Sequence, residues 1–160
     1  MGPSDAGRAA DLFKLGHEAQ MRGDLVEAER LYKESIAARP TAEAHTFLGW
    51  TYSLSQRLDE AIAECQKAIE TDPEFGNPYN DIGAYLIQLS RFDEAIPWLE
   101  AATLAPRYES PHFPRLNLGR AYLAKQMYSK ALEEFQAALA IQPDDAQARQ
   151  AVAAIKRQLN

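Results

Sequence analysis

The sequence predicts an all-α solenoid of about four helix-turn-helix hairpins plus a C-terminal capping helix, and three observations carry that expectation. A glycine preceded by an apolar residue recurs at Gly16, Gly49, Gly83 and Gly119. Twelve residues after each stands an alanine: Ala28, Ala61, Ala95 and Ala131. A proline closes each stretch, at Pro40, Pro73, Pro106 and Pro143. The glycines lie 33, 34 and 36 residues apart, and a period of this length with small residues at fixed points marks stacked helical hairpins. Such a stack presents a continuous surface, so function is sought first in a groove and a partner.

The first hairpin is expected over 9–41, after a frayed N-terminus at 1–8 whose Met1, Gly2, Pro3 and Ser4 read as an expression scar rather than a targeting signal. Leu12, Leu15, Gly16 and Ala19 fall at i, i+3, i+4 and i+7, one face of a helix. Arg22, Gly23 and Asp24 make the turn. The second helix turns Leu25, Ala28, Tyr32, Ser35 and Ile36 inward, and Pro40 ends it. Gly16 and Ala28 belong where the two helices cross, because a larger side chain there would force them apart.

The second hairpin, 42–75, repeats this with Leu48, Gly49, Tyr52, Leu58, Ala61, Cys65 and Ala68. The third, 76–111, does so with Tyr79, Ile82, Gly83, Leu86, Phe92, Ala95, Leu99 and Ala102. The fourth, 112–145, has Leu118, Gly119, Tyr122, Tyr128, Ala131, Phe135 and Ala138. Asp59, Asp93 and Ser129 are positioned to N-cap the second helices. Residues 146–160 form the capping helix: Asp144 and Asp145 start it, and Ala148, Ala151, Val152, Ile155 and Leu159 give it one apolar face.

These residues strongly resemble the tetratricopeptide repeat family, whose hairpin carries Leu-Gly-x-x-Tyr in its first helix and Ala, aromatic, Ala and Pro positions in its second. The resemblance covers residues 9–145, with Ala19 and Leu86 replacing the Tyr in the first and third hairpins and Pro106 arriving one residue early. It implies a right-handed superhelix whose first helices line a concave groove. Carried over by position, the groove residues are Phe13 and His17, then Phe47 and Trp50, then Asn77, Asn80 and Asp81, then Phe113, Asn117 and Arg120. One half is aromatic and the other amide-rich. That suits a peptide or helix with an apolar anchor at one end and backbone contacts at the other, while Phe47 and Leu116 fit equally well as packing between neighbouring first helices. Where the family's carboxylate clamp places basic and amide groups, this chain has Phe13, His17, Asn77 and Asp81. An acid at 81 would repel a carboxylate, which argues against a chaperone-tail adaptor.

The period breaks at the third boundary, where Pro106 and Gly119 are 13 residues apart against 9 and 10 earlier. The extra stretch, Arg107 to Pro114, holds two aromatics and two prolines and is expected to be stiff. Trp98 either packs under Tyr108 or the proline loop, or stands with Tyr108 as a contact on the convex face.

Chemistry is harder to find. No pair among His17, His45 and His112 has metal-ligand spacing, and no nucleophile elbow or phosphate-cradling glycine run occurs. His45 and Cys65 fall on packing positions. No catalytic residue, metal or cofactor is therefore expected. A net charge of −6 with no basic run argues against nucleic acid, and the apolar stretches are too short for membrane insertion. The expected protein is a cytoplasmic, non-catalytic scaffold for a protein or peptide partner. A homo-oligomer built through end repeats or the Trp98 face, and a docking segment of a larger protein, are the alternatives.

Overall fold

Alanine- and leucine-rich stretches separated by short polar turns fold into nine helices over residues 3–160, the part of the chain that the computed structural model describes. They are α1 (Pro3–Met21), α2 (Leu25–Ala38), α3 (Ala42–Leu54), α4 (Leu58–Thr71), α5 (Asn77–Gln88), α6 (Phe92–Leu104), α7 (His112–Ala124), α8 (Tyr128–Ile141) and α9 (Ala146–Leu159). No strand occurs among the described residues, and the fold is an all-α helical repeat solenoid. Each odd helix packs most heavily on the even helix that follows it, and each even helix packs more lightly on the next odd one. The odd helices also touch one another, α1 with α3, α3 with α5 and α5 with α7. They therefore form the inner layer of the stack.

Small residues set the crossing of each hairpin. A Cβ on Gly16 would lie 2.8 Å from Tyr32 Cδ1, one on Gly49 3.0 Å from the Ala61 carbonyl oxygen, and one on Gly119 2.7 Å from Phe135 Cζ. At Gly83 it would fall inside Leu99 itself. The alanines opposite, Ala28, Ala61, Ala95 and Ala131, are wholly buried. Around these crossings Leu31, Tyr32, Leu48, Tyr52, Ile82, Tyr85, Leu86, Leu99 and Leu118 form one core, and Leu116, Phe135, Ala148 and Ile155 continue it towards α9.

Three local expectations need correction. The frayed segment placed at 1–8 is helical from residue 3 onward, since Asp5 favours a helix start and Ala6, Ala9 and Ala10 propagate it; Met1 and Gly2 lie outside the described residues. Leu15, assigned inward, is 49% exposed, because the inward position beside Leu12 is taken by Gly16. Asp59, Asp93 and Ser129 do not cap. α4, α6 and α8 begin two residues sooner, with Arg57, Arg91 and Met127 at the N-cap. The two aspartates instead sit in the first turn, where their charge meets the helix dipole. Arg57 and Arg91 bond Glu60 and Glu94 three residues on. Asp145 does cap α9, accepting from the Ala148 amide at 2.8 Å.

The irregular segment is held by its backbone. Arg107 bridges to Phe75, with the Gly76 amide donating to the Arg107 carbonyl at 2.9 Å and the Arg107 amide donating to the Glu74 carbonyl at 3.2 Å. Its guanidinium pairs with Asp72 and Glu43 and lies over the Phe75 ring. Pro114 is already inside α7 and buried. His45 is buried, and its Nδ1 lies 2.8 Å from Glu64 Oε2. Cys65 is buried too, and desolvation pushes its thiol pKa well up.

Candidate functional site

Position on the inner layer decides which side chains a partner could meet. On α1 and α3 the anticipated aromatics converge. Phe47 is the hub, with ring centroids 5.2 Å from Phe13, 5.5 Å from His17 and 5.8 Å from Trp50. Phe13 also leans on Tyr32 at 5.6 Å. Phe13, His17 and Phe47 are half-buried, so they pack and line at once, while Trp50 stays 36% exposed at the edge of the cluster.

Beyond Trp50 the surface opens into a pocket of about 560 Å³ between α3 and α5, lined by Thr46, Phe47, Trp50, Ser53, Leu54, Gln56, Asn77, Asp81, Tyr85 and Gln88. Four anticipated residues, Phe47, Trp50, Asn77 and Asp81, thus share one site. Tyr85 joins them without a motif of its own to mark it, its place four residues after Asp81 putting it on the same helix face. Asp81 is the one acid in the lining, and no Lys, Arg or His accompanies it. It makes no hydrogen bond or ion pair, and although the residue is only partly covered, burial of the carboxyl raises its pKa to about 7.

The amide half is arranged differently. Asn80 and Asn117 are buried, and Asn117 Nδ2 donates to Asn80 Oδ1 at 2.9 Å. Arg120 Nη1 donates to Asn117 Oδ1 at 2.6 Å, and its Nη2 reaches Gln147 on α9. The sequence reading gave these amides to a peptide backbone. The structure spends them on joining α5 to α7, since two facing amides in the inner layer satisfy each other once desolvated. Arg120 keeps an exposed flank. Phe113 is 45% exposed and stacks on His112 at 4.3 Å, away from the pocket.

The two residues proposed for the convex face separate. Trp98, on α6, is half-buried with its ring 6.3 Å from Tyr79. Tyr108 lies against Gly76, close to Asn80, and belongs to the joint between α5 and α7. Among the described residues, no group of three or more His, Cys, Asp or Glu is placed to hold a metal, and no helix is long and apolar enough to cross a membrane.

Comparison with known proteins fits this architecture. Two family models described as tetratricopeptide repeat match residues 13–74 and 115–145. The solved structure of Pseudomonas aeruginosa pilF is similar in fold, with a TM-score of 0.91 at 21% identity, covering 97% of this chain and 70% of that one. YrrB, a TPR protein with an unusual peptide-binding site, superposes with a TM-score of 0.74 at 23% identity, covering 93% of this chain and 75% of that one. Sperm-associated antigen 1 of Mus musculus is 40% identical over 58 residues, 36% of this chain and 6% of that protein. The chain spans less than a tenth of the length of the first curated relatives it matches.

Proposed function

This chain belongs to the tetratricopeptide repeat family, and from that premise we propose that it is a non-catalytic protein-interaction scaffold whose concave groove binds a peptide or helix. The observation that carries the reading is the open pocket between α3 and α5, where a tryptophan is left exposed on the inner layer beside an aromatic cluster. An indole in that position costs solvation when free and gains contact when covered, and tryptophan is enriched among residues that dominate binding energy. The volume lies within the range of pockets that hold ligands. The peptide-binding site of YrrB, a neighbour in fold, supports the same reading.

Two alanine substitutions test it. Peptides selected by the purified chain from a random display library are expected to bind Trp50→Ala about tenfold more weakly, the loss of one partly exposed aromatic anchor. Arg120→Ala, which removes a guanidinium already tied to Asn117 and Gln147, is expected to weaken binding by a factor of a few. Circular dichroism is expected to show unchanged helicity in both. Full affinity in both variants would remove the groove from consideration.

A further inference from the structure

Twice in this fold an aromatic ring, an arginine and carboxylates come together. Arg57 lies 4.3 Å over the Tyr52 ring while pairing with Glu29 and Glu60. Arg107 lies 4.8 Å over Phe75 while pairing with Asp72 and Glu43. Cation, ring face and acid satisfy one another in each case. The pocket between α3 and α5 holds the same aromatic and acidic parts without the cation: Trp50 and Phe47 on one wall, Asp81 and Tyr85 on the other, and no basic residue in the lining.

We infer that this pocket takes a lysine or arginine side chain of the bound peptide, with the cation against Asp81 and the aliphatic stem along Trp50. The inference rests on the groove reading above and supplies its chemistry. Asp81 has no partner of its own, and burial alone lifts its pKa to about 7; a cation entering the pocket would restore the ionised form and meet it as a desolvated pair. Other occupants fare worse. A wholly apolar side chain would bury the carboxyl further with nothing to bond it. A carboxylate would meet a like charge in a pocket that offers neutral donors, on Asn77, Gln56, Gln88, the Trp50 indole and hydroxyls, but no cation. Long basic side chains cover apolar surface with their stems and keep the charged head at a polar end, which matches a pocket with Trp50 and Leu54 on the α3 side and Asp81 on the α5 side.

The test is a positional-scanning library of short acetylated, amidated peptides, read against the wild-type chain and the Asp81→Asn, Leu54→Lys and Trp50→Ala variants. Binding peptides are expected to carry Lys or Arg at one fixed position. Asp81→Asn is expected to weaken them tenfold or more, in line with removal of one partner of a desolvated pair. Leu54→Lys puts a cation at the pocket mouth, on a side chain that is 47% exposed, and is expected to weaken the same peptides without touching Asp81. Should Asp81→Asn lose its helicity, the Leu54→Lys result decides alone. Peptides that bind in a Trp50-dependent way with no basic preference, or with unchanged affinity for both charge variants, would overturn the inference and leave the groove reading standing. A library with no Trp50-dependent binder would overturn both.

Discussion

Leu99→Ala is expected to destabilise the chain by about 2–5 kcal/mol, and Gly83→Ala to cost most in the presence of that leucine. Leu99 is fully buried at the crossing of α5 and α6, so its truncation leaves a cavity that the packed hairpin cannot fully close. A methyl at Gly83 would occupy the space of the Leu99 Cγ and Cδ2 atoms. Overpacking of that kind costs roughly 1–3 kcal/mol, against a gain of about 1 kcal/mol from replacing a mid-helix glycine by alanine. In the double variant the methyl enters the vacated volume. The pair is then expected to be less unstable than the sum of the singles by about 1 kcal/mol or more in a urea-denaturation cycle. Strict additivity would mean that Gly83 is not held small by the crossing.

Asp81→Asn is expected to do the opposite and stabilise the free protein. The sign follows from the raised pKa. Below the unfolded-state value, about 3.9, both states hold the proton and no penalty exists. As pH rises towards 7 the unfolded chain releases its proton while the native pocket keeps it, so stability falls; above pH 7 the loss is constant. A shift of that size corresponds to ~4 kcal/mol if the site were closed, and the partial exposure of Asp81 brings the expected gain down to ~1–3 kcal/mol. Thermal melts of wild type and Asp81→Asn should therefore coincide near pH 4 and separate by pH 8. A variant less stable than wild type at pH 8 would show that the carboxyl has a stabilising partner. An acid that weakens the free fold yet lines an open pocket is what a binding residue looks like in energetic terms.

The fold was legible because its geometry forces sequence. Two helices can cross closely only over small residues, so Gly16, Gly49, Gly83 and Gly119 and their alanines reappear at one spacing whatever surrounds them. The hairpin turns were less so. Gly23 announces the first, but Gln56, Ser90 and Gln126 adopt the same left-handed backbone, φ near 60°, with side chains that carry no such signal. In the groove, the aromatic cluster and Asp81 could be placed by register alone. The fate of the asparagines could not: whether Asn80 faces a peptide or Asn117 depends on how far α5 and α7 lie apart, which no residue spacing states. Tyr85 stayed hidden for a related reason, being a core residue whose edge forms the pocket wall. Trp98 could be read as exposed or packed until Tyr79 was seen beside it.

The most direct measurement is a chemical-shift map of the 15N-labelled chain titrated with the strongest peptide from the library. The Trp50 indole and the backbone amides of residues 46–54 and 77–88, on the pocket-lining stretches of α3 and α5, are expected to shift, while α4, α6 and α8 stay still. Shifts centred on Trp98 in α6, or on the free face of α9, would contradict the assignment of binding to the inner layer.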